Sequence, residues 1–86
     1  MQSKEELIKN YQEKINYIED QIRDIEAHIR RLDAFEMSEM RRNLPNQYKN
    51  SLHTAVSKAK SDAGIVKNKA VDLSRTLKSK IHSLTK

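Results

Sequence analysis

The sequence predicts an all-α protein folded as an antiparallel, coiled-coil-like two-helix hairpin, and three observations predict it. The 86 residues include one Gly and one Pro, too few for a β-sandwich or an α/β domain, which need a tight turn every ten residues or so. The first half places an apolar residue at every third and fourth position for about four heptads. The second half repeats that period after one break, and the break holds the Pro. A chain this short makes a single domain, here 1–86, and withdraws only ~60% of its unfolded surface from water, so no large enclosed core and no deep catalytic cleft are expected.

The first helix is expected over about 3–42. Ser3 followed by Glu6 reads as a capping box, in which each side chain satisfies an orphan backbone donor of the other. Ile8, Tyr11, Ile15, Ile18, Ile22, Ile25, Ile29 and Leu32 then recur at a strict 3-4 spacing, the pattern of a coiled-coil seam. Charged and amide residues fill most other positions, so the dry stripe is narrow.

A turn is expected over about 43–48, in Asn43-Leu44-Pro45-Asn46 and its flank. Pro45 cannot continue the first helix, because its ring meets the carbonyl four residues back, yet its fixed φ suits the first turn of a new one. The second helix is expected over about 49–85. Its stripe reads Leu52, Val56, Ala59, Ala63, Val66, Ala70, Leu73 and Leu77, then Ile81 slightly out of register, then Leu84.

Residues in contact across an antiparallel hairpin have nearly constant index sums. Leu32 with Ala63, Ile29 with Val66, Ile25 with Ala70, Ile22 with Leu73, Ile18 with Leu77 and Tyr11 with Leu84 meet that condition and centre the turn near residues 47 and 48. Isoleucines then face alanines in the half nearest the turn, which brings the axes close. Beside the seam, Asp33 faces Lys60 and Glu26 faces Lys67, so acids of the first helix meet lysines of the second.

Apolar residues remain outside this seam, among them Leu7 and Tyr17. The candidate partner-binding set is Phe35, Met37, Met40, Leu44, Tyr48, Ile65, Val71 and Ile81. A two-helix hairpin leaves a flank of each helix uncovered, so a partner is expected: a helical protein, or a second copy completing a three- or four-helix bundle. Near the turn, Phe35, Met37 and Met40 read either as a cap packed under the bend by Leu44, Tyr48 and Leu52 or as an anchoring patch for that partner.

The net charge of +5 is unevenly spread: residues 1–42 hold eight basic and ten acidic groups, residues 43–86 nine and two. Lys58, Lys60, Lys67, Lys69, Lys78 and Lys80 form a candidate basic face, each close pair straddling the apolar stripe. They read as solvated lysines that cover the seam with their alkyl stems, as an electrostatic footprint for nucleic acid, or as a surface for an acidic protein. The scarcity of Arg and aromatics on that helix speaks against nucleic acid.

Other chemistry is sparse. With no Cys there is no disulfide framework and no thiolate metal site. His28, His53 and His82 are scattered, and Asp24 with His28 at i and i+4 reads as a surface pair, so no metal, cofactor or small-molecule substrate is expected. No Ser has a nearby His and acid in nucleophile order and no Gly-rich loop exists, so no enzyme activity is expected. Gly64, mid-helix on the expected outward face, costs ~1 kcal/mol relative to Ala. It reads as a tolerated surface Gly, a flexible point or a place of close backbone approach. Met1 to Leu7 lead into an amphipathic stretch rather than a secretory leader, and no run approaches a membrane span, so the expected location is cytoplasmic, or exported without a classical signal peptide.

In size, in the hairpin centred near its middle and in the lack of Cys and leader, the chain resembles the small helical-hairpin proteins of bacterial type VII secretion: the WxG-motif secreted partners and the accessory proteins of LXG-type toxins. It departs from them in having Leu44-Pro45-Asn46-Gln47 at the turn instead of Trp-x-Gly and no Tyr-x-x-x-Asp/Glu near the C-terminus. Phe35-x-x-x-Glu39 is similar to the Phe-x-x-x-Asp signal of some accessory proteins but lies at the end of the first helix. The resemblance implies a targeting partner or chaperone that binds the helical N-terminal part of a larger effector. The functional expectation is therefore a non-enzymatic helical adaptor. The alternative is a small basic nucleic-acid-binding or phage- or plasmid-type regulator acting as a homodimeric bundle.

Overall fold

The computed structural model describes residues 3–86; Met1 and Gln2, which begin the segment read as lacking a leader, lie outside the described residues. Two helices, α1 (Lys4–Met40) and α2 (Asn46–Thr85), pack against each other along their length. At a rise of ~1.5 Å per residue a 40-residue helix spans ~60 Å, and the longest dimension of the molecule is 63 Å. The chain is an all-α helical hairpin.

Each boundary has a local cause. Ser3 caps α1: its Oγ accepts from the Glu6 N–H at 3.1 Å, and its carbonyl accepts from the Leu7 N–H at 3.0 Å. α1 ends in a tightened turn, with the Arg42 N–H donating to the Glu39 carbonyl at 3.1 Å while the Arg42 guanidinium pairs with the Glu39 carboxylate at 3.2 Å. Pro45 stands immediately before α2 with φ −58° and ψ 143°, and its carbonyl accepts the first helical bond, from the Lys49 N–H at 3.1 Å. That position makes no use of a backbone N–H, so Pro fits it without loss. The connection falls at 41–45, a little ahead of the expected 43–48, and α2 takes up Asn46, Gln47 and Tyr48.

Ile15, at 1% exposure, is the most enclosed large side chain, and with Ile18 and Leu77 it forms the core. Tyr11, Ile22, Ala70 and Ile81 pack around them, so the best-filled part of the seam lies in the half away from the turn. Val56 is buried separately, nearer the turn.

The seam of α2 departs from the expected stripe. Its buried and half-buried line reads Val56, Lys60, Ala63, Lys67, Ala70, Ser74, Leu77, Ile81 and Leu84, an unbroken alternation of four and three. Val66 and Leu73, expected opposite Ile29 and Ile22, are 55% and 51% exposed. Ile81, expected out of register and free for a partner, is in register and packs against the core. Two forces account for this rotation. It brings Ile81 in with Leu77, and it lays the alkyl stems of Lys60 and Lys67 along the seam while their ammonium groups reach Asp33 at 2.6 Å and Glu26 at 3.4 Å.

Candidate functional site

The two long sides of the seam differ in chemistry. Along one side the helices are joined by charge. Glu19, Glu26 and Asp33 follow one another at heptad spacing on α1 and meet Lys78 at 3.0 Å, Lys67 at 3.4 Å and Lys60 at 2.6 Å. Near the turn Glu36 meets the His53 Nδ1 at 2.6 Å. The hydrogen bond to Asp33, together with the charge of that carboxylate, holds the Lys60 ammonium above the ordinary lysine value of 10.5, with a smaller push from Glu36 and some opposition from lost hydration.

Along the other side runs a shallow apolar groove. In the half away from the turn, Tyr17, Ile18, Leu73 and Leu77 line a concavity of about 560 Å³, edged by Asn10, Glu13 and Lys14. Towards the turn, Ile25, Ala59, Ala63 and Val66 line a second of about 500 Å³, edged by Asp24, Asp62 and His28. At the terminal end Leu7, Tyr11 and Leu84 continue the surface, and the Lys80 ammonium stands 5.9 Å from the centre of the Tyr11 ring. Leu52, Ala59, Val66 and Leu73 recur every seven residues and so form one row along α2. That row faces the groove, whereas Val56, Ala63, Ala70 and Leu77 face α1.

The residues singled out from the sequence scatter over this surface. Phe35 lies one heptad beyond the groove-lining His28 and is half exposed, which extends the groove towards the turn. Met37, Tyr48 and Ile65 are exposed; Met40, Leu44 and Val71 are half-buried. Phe35 and Met37 stand open to solvent, so the bend does not close over them as a cap would. Ile65 follows Val66 around the helix on the side away from the seam, and Ile81 belongs to the core. Tyr17, Val66 and Leu73 were missing from the candidate set. For Val66 and Leu73 the signal is that α2 carries two apolar heptad rows where a helix with one neighbour needs a narrower stripe; Tyr17 of α1 is already legible as an apolar residue outside the seam.

The six lysines do not share one face. Lys60, Lys67 and Lys78 are paired with acids of α1, Lys80 sits over Tyr11, and Lys58 and Lys69 make no ion pair among the described residues. Asp24 and His28 both edge the groove, and among the described residues no cluster of three or more metal-ligating side chains occurs. α2 runs unbroken through Gly64, which is half-buried rather than outward, and a Cβ there would meet nothing within 4 Å. Among the described residues no backbone comes within 4 Å of that position. Among the described residues no helix is long and apolar enough to cross a membrane.

Comparison with known proteins found no match. This holds for family models, for curated proteins and for solved structures. The likeness to type VII hairpins therefore rests on architecture alone, and the groove carries the functional argument.

Proposed function

We propose that this protein is a non-enzymatic helical adaptor or chaperone that docks helices of a partner protein into the groove between α1 and α2. One observation carries the reading. The apolar stripe of α2 is wider than α1 covers, and the uncovered row, with Val66 and Leu73 about half exposed, lines a groove bordered by Tyr17, Ile18 and Ile25. A helix with apolar rows facing two directions is built for two neighbours. A helical segment laid in the groove would extend the seam into a three- or four-helix bundle, with apolar residues at i, i+3, i+4 and i+7 as anchors. The resemblance to type VII hairpins would make that segment the helical N-terminal part of a larger effector.

The nucleic-acid alternative has less support, because three of the six lysines are engaged with acids of α1. The test compares capture of binding proteins by the full chain, by a variant carrying Val66→Asp with Leu73→Asp, and by Ile65→Asp. The groove variant is expected to lose a protein that Ile65→Asp retains. Equal capture by all three removes the groove from the function. A mobility shift on DNA or RNA that collapses between low and high salt supports the alternative instead.

A further inference from the structure

We propose that the groove takes a second copy of this chain, packed face to face about a two-fold axis with the two turns at opposite ends. α2 then lies along α2 of the other copy and α1 along α1. This rests on the reading of the groove as a helix-docking surface and names its occupant.

The charges on the groove's two edges carry the argument. Asp24 and Asp62 edge the groove. Arg31 and Lys69 lie one heptad from them on the same helices, hence on the same edges. All four are exposed, and none makes an ion pair among the described residues, although Asp33, Glu26 and Glu19 just across the seam are all paired. The cross-helix pairs set their heights. Asp24 and Lys69 each stand two residues farther from the turn than the Glu26–Lys67 pair, so they are level with each other. Arg31 and Asp62 stand in the same relation to the Asp33–Lys60 pair. The face therefore shows acid opposite base at one level and base opposite acid at the next, ~10.5 Å away.

A two-fold interface must be complementary to itself, and this checkerboard is. With the turns at opposite ends, Asp24 meets Arg31 of the other copy and Asp62 meets Lys69, each pair occurring twice. The same register lays the apolar row of α2 on its own image: Val66 meets Val66, and Leu73 meets the small Ala59. The opposite choice, turns together, would satisfy the four charges as well by stacking α1 on α2. It would also gather Lys14 and Lys80, which border the groove at nearly the same height, with their copies into a group of four ammonium ions, offset only by the two Glu13 carboxylates beside Lys14 and its copy. Turns at opposite ends keep them apart. The face has room for such an interface: its outline of 63 × 19 Å, about 1,200 Å², can accommodate the ~800 Å² that each partner buries in a standard stable interface. A client helix using the groove would compete with the second copy.

Sedimentation of the full chain from about 1 to about 200 µM, a range that spans ordinary dimer affinities, is expected to show a species of twice the 10.1 kDa chain mass. Because the chain has no Cys, Val66→Cys reports the axis directly: it is expected to form a linked dimer under mild oxidation at least about tenfold faster than Ile65→Cys. Lys69→Asp is expected to weaken the dimer by about tenfold, and Asp62→Lys with Lys69→Asp to restore it to within about twofold. Val66→Cys linking no faster than Ile65→Cys overturns the arrangement, as does restoration by Asp24→Lys with Lys69→Asp in place of the α2 swap. A chain that stays at monomer mass throughout overturns the second copy. If the groove variant of that monomer still loses a protein that Ile65→Asp captures, the docking reading stands; if it loses nothing, both fail.

Discussion

Leu77 and Leu73 carry the same side chain one turn apart on α2, and periodicity alone gives them equal weight. The structure separates them: Leu77 is 9% exposed against Ile15 and Ile18, while Leu73 is 51% exposed at the groove. Truncation to Ala removes three carbons. At ~0.8 kcal/mol per buried methylene, Leu77→Ala loses about 2 kcal/mol of transfer energy, and the incompletely refilled space raises the total to about 3 kcal/mol, near the low end for Leu→Ala because the seam is narrow enough to collapse. Leu73→Ala removes a side chain already half in water and should cost about 1 kcal/mol. Urea unfolding followed by circular dichroism at low micromolar concentration resolves the difference, since an m-value of ~1 kcal/mol/M turns it into about 2 M in midpoint. Midpoints that agree within about 0.5 M, or a larger loss at Leu73, would refute the rotation of α2. At high concentration the cost of Leu73→Ala should grow more than that of Leu77→Ala, because both line the groove but Leu73 still has half of its surface to bury there and Leu77 only 9%.

Three further expectations follow from the same geometry. Gly64→Ala should stabilise the hairpin by about 0.5–1 kcal/mol, read from thermal or urea melts, since the added methyl meets open space and the backbone φ is ordinary. A double-mutant cycle on Glu26 and Lys67 should return a coupling of only ~0.2–1 kcal/mol that shrinks in added salt, both side chains being more than a third exposed. The pKa of Lys60 is raised in the folded chain, so its pairing with Asp33 contributes in full below the unfolded value near 10.5 and is lost as pH climbs through the folded value above it. Wild type should accordingly lose more stability above that pH than Lys60→Met, and equal alkaline losses would remove Lys60 from the account.

Much of the hairpin was legible in the sequence for identifiable reasons. The seam of α1 is one apolar row on each side of its midline with polar residues beyond, so only one rotation buries it. The pairing of Asp33 with Lys60 and of Glu26 with Lys67 was readable because acids and lysines recur at the same heptad interval in opposite directions. The rotation of α2 was not readable from hydrophobicity, which counts Ala59, Val66 and Leu73 as better seam residues than Lys60, Lys67 and Ser74. Two features outweigh it: Lys buries its stem while its charge stays paired, and Ser74, 6% exposed, leaves no buried side-chain atom unsatisfied. Ile81 is the clue in the sequence: it is out of step with a stripe through Val66 and Leu73 and in step with the stripe through Lys67 and Ser74. For the same reason Val66 and Leu73, which hydrophobicity places in the seam, stand half exposed at the groove.

The filling of the seam changes along the molecule. Away from the turn the seam is filled by Ile15, Ile18, Leu77 and Ile81, whereas towards the turn Ile29, Leu32 and Leu52 are only half-buried, α2 contributes Ala63, Lys60 and Lys67, and Val56 is the one buried apolar residue among those described. The half with the thinner core is also the half whose groove is lined by Ala59, Ala63, Val66 and Ile25. Apolar surface lies on the outside of the hairpin in both halves, but only towards the turn does it stand beside a seam whose large side chains are half-buried. Any species that occupies the groove stabilises the folded chain by the logarithm of its concentration over its dissociation constant, and the gain should be concentrated near the turn. Hydrogen exchange reads this residue by residue: amides over 52–66 should slow with rising protein concentration more than those over 70–84. A uniform response along α2 would contradict the idea that the groove completes an underfilled half of the fold.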